Sequence, residues 1–235
     1  MKVIAQIRSL SLWIFLVPLI AVNTCLIISV NYGILNNTFF SVDMIGRSEF
    51  TFPYFDGSLS ISRASRFFPQ YIIFKPGMII TAILLYFYWC KNNILINYFK
   101  NTNSKKNNFM IFGILSAIFL VIHSLLLGVE TDIKIFKFLR RVVLLGFIVF
   151  EIIAQSMLIV NFYRLKKELN KFCYPKVLKL KILLVSFLVF VATLSVPLLI
   201  AKGNTHFKHG LEWNFFIGVI LFYLLTRFLW KKNSL

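Results

Sequence analysis

Six long apolar stretches, separated by short polar or charged segments, dominate the pattern along the chain. Each has about 20 residues, the length that an α-helix needs to cross the hydrocarbon core of a bilayer. In chain order they are Leu12–Val30, Ile72–Cys90, Phe109–Gly128, Val142–Phe162, Ile182–Ile200 and Trp213–Trp230. Because a helix satisfies its own backbone hydrogen bonds in lipid, the pattern predicts an all-α polytopic integral membrane protein with six transmembrane helices. Residues 1–235 form a single membrane domain in this interpretation.

The composition supports a lipid environment and excludes one large class of partner. Hydrophobic residues make up 59% of the chain and charged residues 14%, whereas soluble domains carry about 25% charged residues. The mean hydropathy is +0.80. The net charge of +18 comes from short basic clusters between the apolar stretches. A protein that binds nucleic acid carries a continuous basic face, so we expect no nucleic acid partner.

The distribution of basic residues predicts the orientation. Most of the 26 Lys and Arg residues fall on the side that holds both ends of the chain. Short cytoplasmic segments are enriched in Lys and Arg, so both termini are predicted to be cytoplasmic. Residues 32–71 then form a long loop outside, and residues 163–181 form a basic cytoplasmic loop. We expect a plasma or inner membrane, with an endomembrane as the alternative.

The outside loop contains the first candidate site. Asp56 and Gly57 form a turn signal, and Arg63 and Arg66 follow within ten residues. One interpretation is a structured cap whose aromatic side chains lie at headgroup depth. The other is a recognition loop in which the two arginines bind lipid phosphate or another anion, since a guanidinium group makes bidentate contacts with phosphate.

A second arginine pair lies on the same side, before the fourth span. Arg140 and Arg141 either form ion pairs with the nearby Glu130 and Asp132 or extend a lipid-phosphate site. Both interpretations stay open from the sequence. The two arginine pairs are the candidates for contact with headgroups.

Three polar residues lie inside predicted spans. Glu151 is about ten residues into the fourth span, near the bilayer midplane, and Gln155 shares its helical face. Intramembrane carboxyl groups are costly and usually face the bundle interior. Glu151 is therefore either a functional ionisable group or a protonated, hydrogen-bonded structural group. His123, in the third span, is a packing residue or a relay partner of Glu151, about two helical turns away.

The last outside loop brings His206, His209 and Glu212 together at intervals of three residues. This spacing could bind a metal ion on a helix, but Gly210 and the loop context favour a solvated turn that leads into an interfacial Trp213. We expect no metal ion and no other cofactor. No P-loop, GxSxG, HExxH or CxxC motif occurs, so no catalytic residue is predicted.

One segment resembles a known family. The stretch SLSIS at residues 58–62 is followed by Pro69, Gln70 and Tyr71, and then by Phe74. In this order of parts the chain resembles the Frag/DRAM/Sfk superfamily, which includes post-GPI-attachment lipid-remodelling factors and damage-regulated autophagy modulators. That family often places a His early in the fourth span, where this chain has arginines. The resemblance implies a multi-spanning protein concerned with membrane lipid, without catalytic machinery to carry over.

The leading hypothesis is a multi-pass membrane protein that binds, senses or helps remodel lipids through its outside loop and its headgroup-facing arginines. Membrane lipids are then the expected partners. The first alternative is a small-solute or proton-coupled carrier that uses Glu151. The second is a structural or assembly subunit, and a membrane-embedded enzyme comes last because no nucleophile, base and oxyanion donors can be assembled from the sequence.

Overall fold

A computed structural model describes residues 2–35, 38, 51–100, 107–128, 134–200 and 203–231. These residues are almost entirely helical and contain no β-strand. The helices are α1 (Lys2–Val30), α2 (Pro53–Asp56), α3 (Ile61–Ala64), α4 (Gln70–Lys100), α5 (Asn108–Leu126), α6 (Lys134–Arg164), α7 (Lys166–Leu169), α8 (Pro175–Ile200) and α9 (Thr205–Leu229), with a 3₁₀ turn at Tyr32–Leu35.

The predicted fold class is confirmed. In the described part of the chain, six helices (α1, α4, α5, α6, α8 and α9) are long and apolar enough to cross a membrane. The chain is therefore an all-α, multi-pass integral membrane protein. Many large apolar side chains, such as Ile20, Phe87 and Phe187, are exposed on the outside of the bundle. Such exposure is expected where the surrounding medium is lipid.

Several helices extend beyond their apolar stretches. Helix α4 continues about three turns past Cys90, and α6 begins at Lys134, before the predicted start at Val142. Polar and basic residues continue a helix readily at headgroup depth, where long side chains reach water. The connection expected over residues 163–181 is consequently shorter, because α7 occupies part of it and α8 already begins at Pro175.

The long helices pack as a bundle around a common interior. Helix α1 packs on α4, α4 on α5 and α5 on α6, while α9 packs on α1 and α8. Helix α6 also contacts α8 but meets α9 only over a short stretch.

The helix ends define two faces of the bundle. The terminal face holds the start of α1 and the end of α9, where the Tyr174 backbone N–H donates to the Leu229 carbonyl at 2.8 Å. The loop face holds the opposite helix ends together with α2 and α3. There Gly57, at a φ of 59°, packs so closely on the backbone of His206 that a Cβ atom would overlap it.

Candidate functional site

Residues 53–69, which we call the lid, are held on the loop-face end of α9. The Trp213 indole N–H donates to the Leu59 carbonyl at 2.7 Å, and the Asn214 side chain donates to the Tyr54 carbonyl at 2.9 Å. The rings of Tyr54 and Trp213 are 4.8 Å apart, and Trp213 is fully buried. The lid is thus a structured cap, as one interpretation of the outside loop predicted.

The two histidines of the last loop bind the lid. His206 Nδ1 donates to the Asp56 carbonyl at 3.3 Å, and His209 Nδ1 donates to the Gly57 carbonyl at 3.0 Å. A carbonyl oxygen only accepts, so Nδ1 carries the hydrogen in both rings. Both residues lie in the first turns of α9, not in the predicted solvated turn. Within the described ranges, no three potential metal ligands cluster.

Asp56 organises the turn inside the lid. Burial raises the pKa of its carboxyl group, but hydrogen bonds from the Ser58 backbone (2.8 Å), the Ser58 hydroxyl (2.7 Å) and the Phe52 backbone (2.9 Å) outweigh this effect and lower the pKa overall. A lowered carboxyl pKa stabilises the fold at pH values above the unfolded-state pKa. The contribution is lost as the pH falls through the folded-state pKa.

The four candidate arginines divide between two places. Arg63 is exposed on the lid, close to His209, and Arg66 is partly buried there. Arg140 is partly buried near His123 of α5, and its neighbour Arg141 is exposed. The proposed acidic partners of the second pair, Glu130 and Asp132, lie outside the described residues.

Glu151 is the centre of a buried polar cluster in the middle of the bundle. Ser116 of α5 lies 2.6 Å from Oε2, the Gln155 amide donates to Oε1 at 3.0 Å, and the Tyr223 hydroxyl of α9 donates to Oε1. These side chains are all buried. The predicted pairing with Gln155 is present, and two neighbouring helices add partners that the sequence did not indicate.

A neutral Glu151 satisfies every short contact in this cluster. Ser116 Oγ lies within hydrogen-bonding distance of both the Gly113 carbonyl (2.8 Å) and Glu151 Oε2 (2.6 Å), but a hydroxyl has one hydrogen. The Gly113 carbonyl can only accept, so both contacts are hydrogen bonds only when Ser116 donates to the carbonyl. Oε2 then needs its own hydrogen in order to donate to Ser116. With Glu151 protonated, every one of these short contacts is a hydrogen bond.

An apolar cavity extends from this cluster to the underside of the lid. Its walls come from α1, α3, α4, α5, α6 and α9, and its volume, measured as the space open to the centre of a water molecule, is about 100 Å³. One water needs about 10–15 Å³ on this measure, so several waters or a slender apolar chain fit. Glu151 and Tyr223 lie at the deep end, and Ser62 and Glu212 lie at the lid end.

His123 and Glu212 both line this cavity. His123 is only 4% exposed and contacts the backbone of Arg140, while its Nδ1 has no hydrogen-bond partner among the described residues. The Glu212 carboxylate accepts from the backbone N–H of Ser62 in the lid. No hydrogen bond joins His123 to Glu151 in the described structure, so the predicted direct relay is not formed, although both face the same space.

Lys181 was expected in the basic cytoplasmic loop, but it is fully buried in α8. Its amine donates to the Thr226 hydroxyl at 2.5 Å and lies 3.7 Å from the centre of the Phe222 ring. The Tyr88 hydroxyl is 3.2 Å from the same Thr226 oxygen. Lys181 therefore belongs to a second buried polar cluster, near the terminal face.

We expect Lys181→Met to leave stability unchanged or to raise it, by up to about 4 kcal/mol. Methionine removes a buried amine that has no carboxylate partner in the described residues. Thr226 would still donate to the Phe222 carbonyl at 2.9 Å. Denaturant unfolding of the purified variant in detergent measures the effect, with the exposed Lys179→Met as matched control. A loss of several kcal/mol would contradict this account of the amine.

No family model matches the chain, and no curated protein or solved structure matches it significantly. The function is therefore argued from the geometry of the cavity, the lid and the two buried clusters.

Proposed function

We propose that the protein binds a membrane lipid or a lipid-like amphiphile in the cavity under the lid, and thereby senses or helps remodel membrane lipids. The observation that carries the proposal is an apolar cavity inside the bundle with a carboxyl group at each of its two ends, Glu151 at the deep end and Glu212 at the lid end. Ligand sites are usually apolar cavities with a few polar groups that fix orientation. The resemblance of residues 58–74 to the Frag/DRAM/Sfk superfamily points in the same direction.

In this proposal the termini face the cytoplasm and the lid lies on the other side of the membrane. The excess of Lys and Arg on the terminal face supports this orientation, even without the buried Lys181. Arg63 and Arg141 are exposed on the loop face, where they would contact the headgroups of surrounding lipids.

Filling the cavity is expected to weaken binding. Val219 lines the cavity and is 7% exposed, so Val219→Phe places extra volume inside it. We expect at least about a tenfold loss of affinity for dodecanol in phosphatidylcholine nanodiscs, because the chain loses its space. Val160→Phe, at a lipid-exposed position of α6, is the matched control.

Equal dodecanol binding by wild type and Val219→Phe would contradict the proposal. The double variant Arg63→Gln/Arg66→Gln belongs in a parallel measurement of co-purified phospholipid. If the amount of co-purified phospholipid does not change, the two arginines do not bind phospholipid, and the proposed ligand site in the cavity is unaffected.

A proton-coupled carrier is the second candidate function. The geometry of Glu151 favours it over a structural or assembly subunit and over a membrane-embedded enzyme. A neutral acid that faces a cavity could release its proton when the cavity contents change. Under this hypothesis, Glu151→Gln abolishes uptake driven by a pH gradient in proteoliposomes, because glutamine cannot titrate. Gradient-driven uptake of the same rate in wild type and variant would exclude Glu151 as the coupling group.

A further inference from the structure

The ionisable groups that line the cavity include two carboxyl groups and no basic amine or guanidinium group. They are Glu151, Glu212, His123 and Tyr223, and no Lys or Arg is among the lining residues. The whole chain has 26 Lys and Arg residues against 8 Asp and Glu residues, so an acidic lining runs against the overall composition. The cavity therefore offers hydrogen-bond acceptors and carboxylates, but no cationic donor, to whatever enters it.

The acceptors with free capacity lie at the lid end. A carboxylate has about four acceptor positions, and in the described part of the chain the Ser62 backbone N–H is the one donor that faces Glu212. His123 contacts the backbone of Arg140, and its Nδ1 is buried without a hydrogen-bond partner among the described residues. In the tautomer whose other ring nitrogen carries the hydrogen, Nδ1 is an acceptor. At the deep end, Glu151 already has its full set of partners.

Both acceptors lie within about two helical turns of the loop-face ends of their helices. Glu212 is about two helical turns from the start of α9, and His123 is about one turn from the end of α5, both counted from the loop face. From Glu212 to Tyr223 the lining extends about 16 Å along α9. The site thus consists of an acceptor pair at the lid followed by a narrow apolar channel.

We propose that the ligand is a hydrophobic amine, with its ammonium group on Glu212 and His123 under the lid and its apolar chain directed toward Tyr223. This inference rests on the proposed function and names its ligand class. An ammonium group has three donors and no acceptor, which complements a carboxylate and an imidazole nitrogen. Hydrogen bonds between ionised groups are about twice as strong as neutral ones.

The same geometry disfavours an anionic head inside the cavity. A carboxylate or phosphate placed beside Glu212 would be buried next to a like charge without a cationic donor in the lining. Arg140 near His123 and Arg63 near His209 are the closest identified cations, and neither lines the cavity. Anionic headgroups therefore belong to the outer surface and amines to the interior.

The test compares three probes with the same chain: dodecylamine, dodecanol and dodecanoate, each titrated against full-length protein in phosphatidylcholine nanodiscs. We expect wild type to bind the amine at least about tenfold more tightly than the alcohol, and the carboxylate most weakly. Glu212→Gln should lose this tenfold preference while keeping its dodecanol affinity within about twofold. Partition into the bilayer is the same for all variants, so it cancels when one probe is compared between variants, and titration of empty nanodiscs corrects the comparison between probes.

Glu168→Gln, at an exposed position on the terminal face, is the matched control and should behave as wild type. Dodecanoate that binds as tightly as dodecylamine would overturn the inference, as would an unchanged amine preference in Glu212→Gln. If Glu212→Gln no longer binds dodecanol, the inference is judged from wild type alone. It then stands only if wild type binds dodecylamine most tightly and dodecanoate most weakly. If the three probes bind the cavity with equal affinity, only the inference of an amine ligand is refuted. If Val219→Phe leaves the binding of the probes unchanged, the proposed function itself is refuted.

Discussion

Trp213→Ala is expected to lower the free energy of unfolding by about 3–5 kcal/mol and to release the lid from α9. The indole is fully buried, packs against the Tyr54 ring at a tilted angle and donates to the Leu59 carbonyl at 2.7 Å. Alanine would leave a cavity and an unpaired carbonyl at the point where the lid is attached. Denaturant unfolding in detergent measures the loss, and limited proteolysis within residues 53–69 reports lid release.

The exposed Trp13 provides the matched control, because it is 52% exposed on α1 and Trp13→Ala should change stability by no more than about 0.5 kcal/mol. The loss of stability in Trp213→Phe should lie between the losses in Trp213→Ala and Trp13→Ala, because phenylalanine keeps the ring packing and loses the hydrogen bond. A lid that stays protease-resistant in Trp213→Ala would show that the remaining contacts hold it without the indole.

Glu151→Leu is expected to have the second largest effect, whereas Glu151→Gln should be close to wild type in stability. Leucine leaves the Tyr223 hydroxyl without its acceptor, at a cost of about 1–3 kcal/mol for that group, and removes one partner of Gln155. Glutamine instead reproduces a neutral acid, because its amide can donate to Ser116 while its carbonyl accepts from Tyr223.

The pair of variants tests the hydrogen count directly. Thermal or denaturant unfolding at neutral pH should show that wild type and Glu151→Gln have similar stability and that both are clearly more stable than Glu151→Leu. Glu168→Leu, on the terminal face, controls for the loss of a carboxyl group at an exposed position. A Glu151→Gln variant as unstable as Glu151→Leu would mean that an ionised carboxylate holds the cluster.

The apolar stretches of the sequence predict the spans because every helix that crosses a bilayer needs about the same length and an apolar surface. All six apolar stretches become long helices, and the errors lie at their ends. Helix α6 begins at Lys134, in a segment where basic residues interrupt the apolar sequence before Val142. Hydropathy reports burial in lipid, so it does not mark helical turns that lie in the interface.

The candidate site was predictable only in part. Glu151 and Gln155 stand out because polar residues are rare in a span, and their contact follows from helical spacing. Their partners Ser116 and Tyr223 come from other helices, and a single sequence does not show which helix faces which. The same limit applies to the cavity, whose lining combines residues from six helices.

Lys181 shows how a rule about charge can conceal a buried residue. Counting basic residues assigns it to the same loop as Lys176 and Lys179, which are exposed. Its helical position carries the missing signal, since Leu178 and Val185, one turn to either side on the same face of α8, are buried. If this buried face of α8 is extended beyond the start of the apolar stretch, it predicts that the Lys181 amine lies inside the bundle.

The most direct test of ligand binding inside the bundle is photo-crosslinking with a dodecanol that carries a diazirine at the end of its chain. The account predicts that irradiation of the protein in nanodiscs labels the deep cavity residues Leu85, Val219 and Tyr223, and that unlabelled dodecanol competes with this labelling. Labelling confined to lipid-exposed positions such as Ile83 and Phe187, without competition, would contradict it.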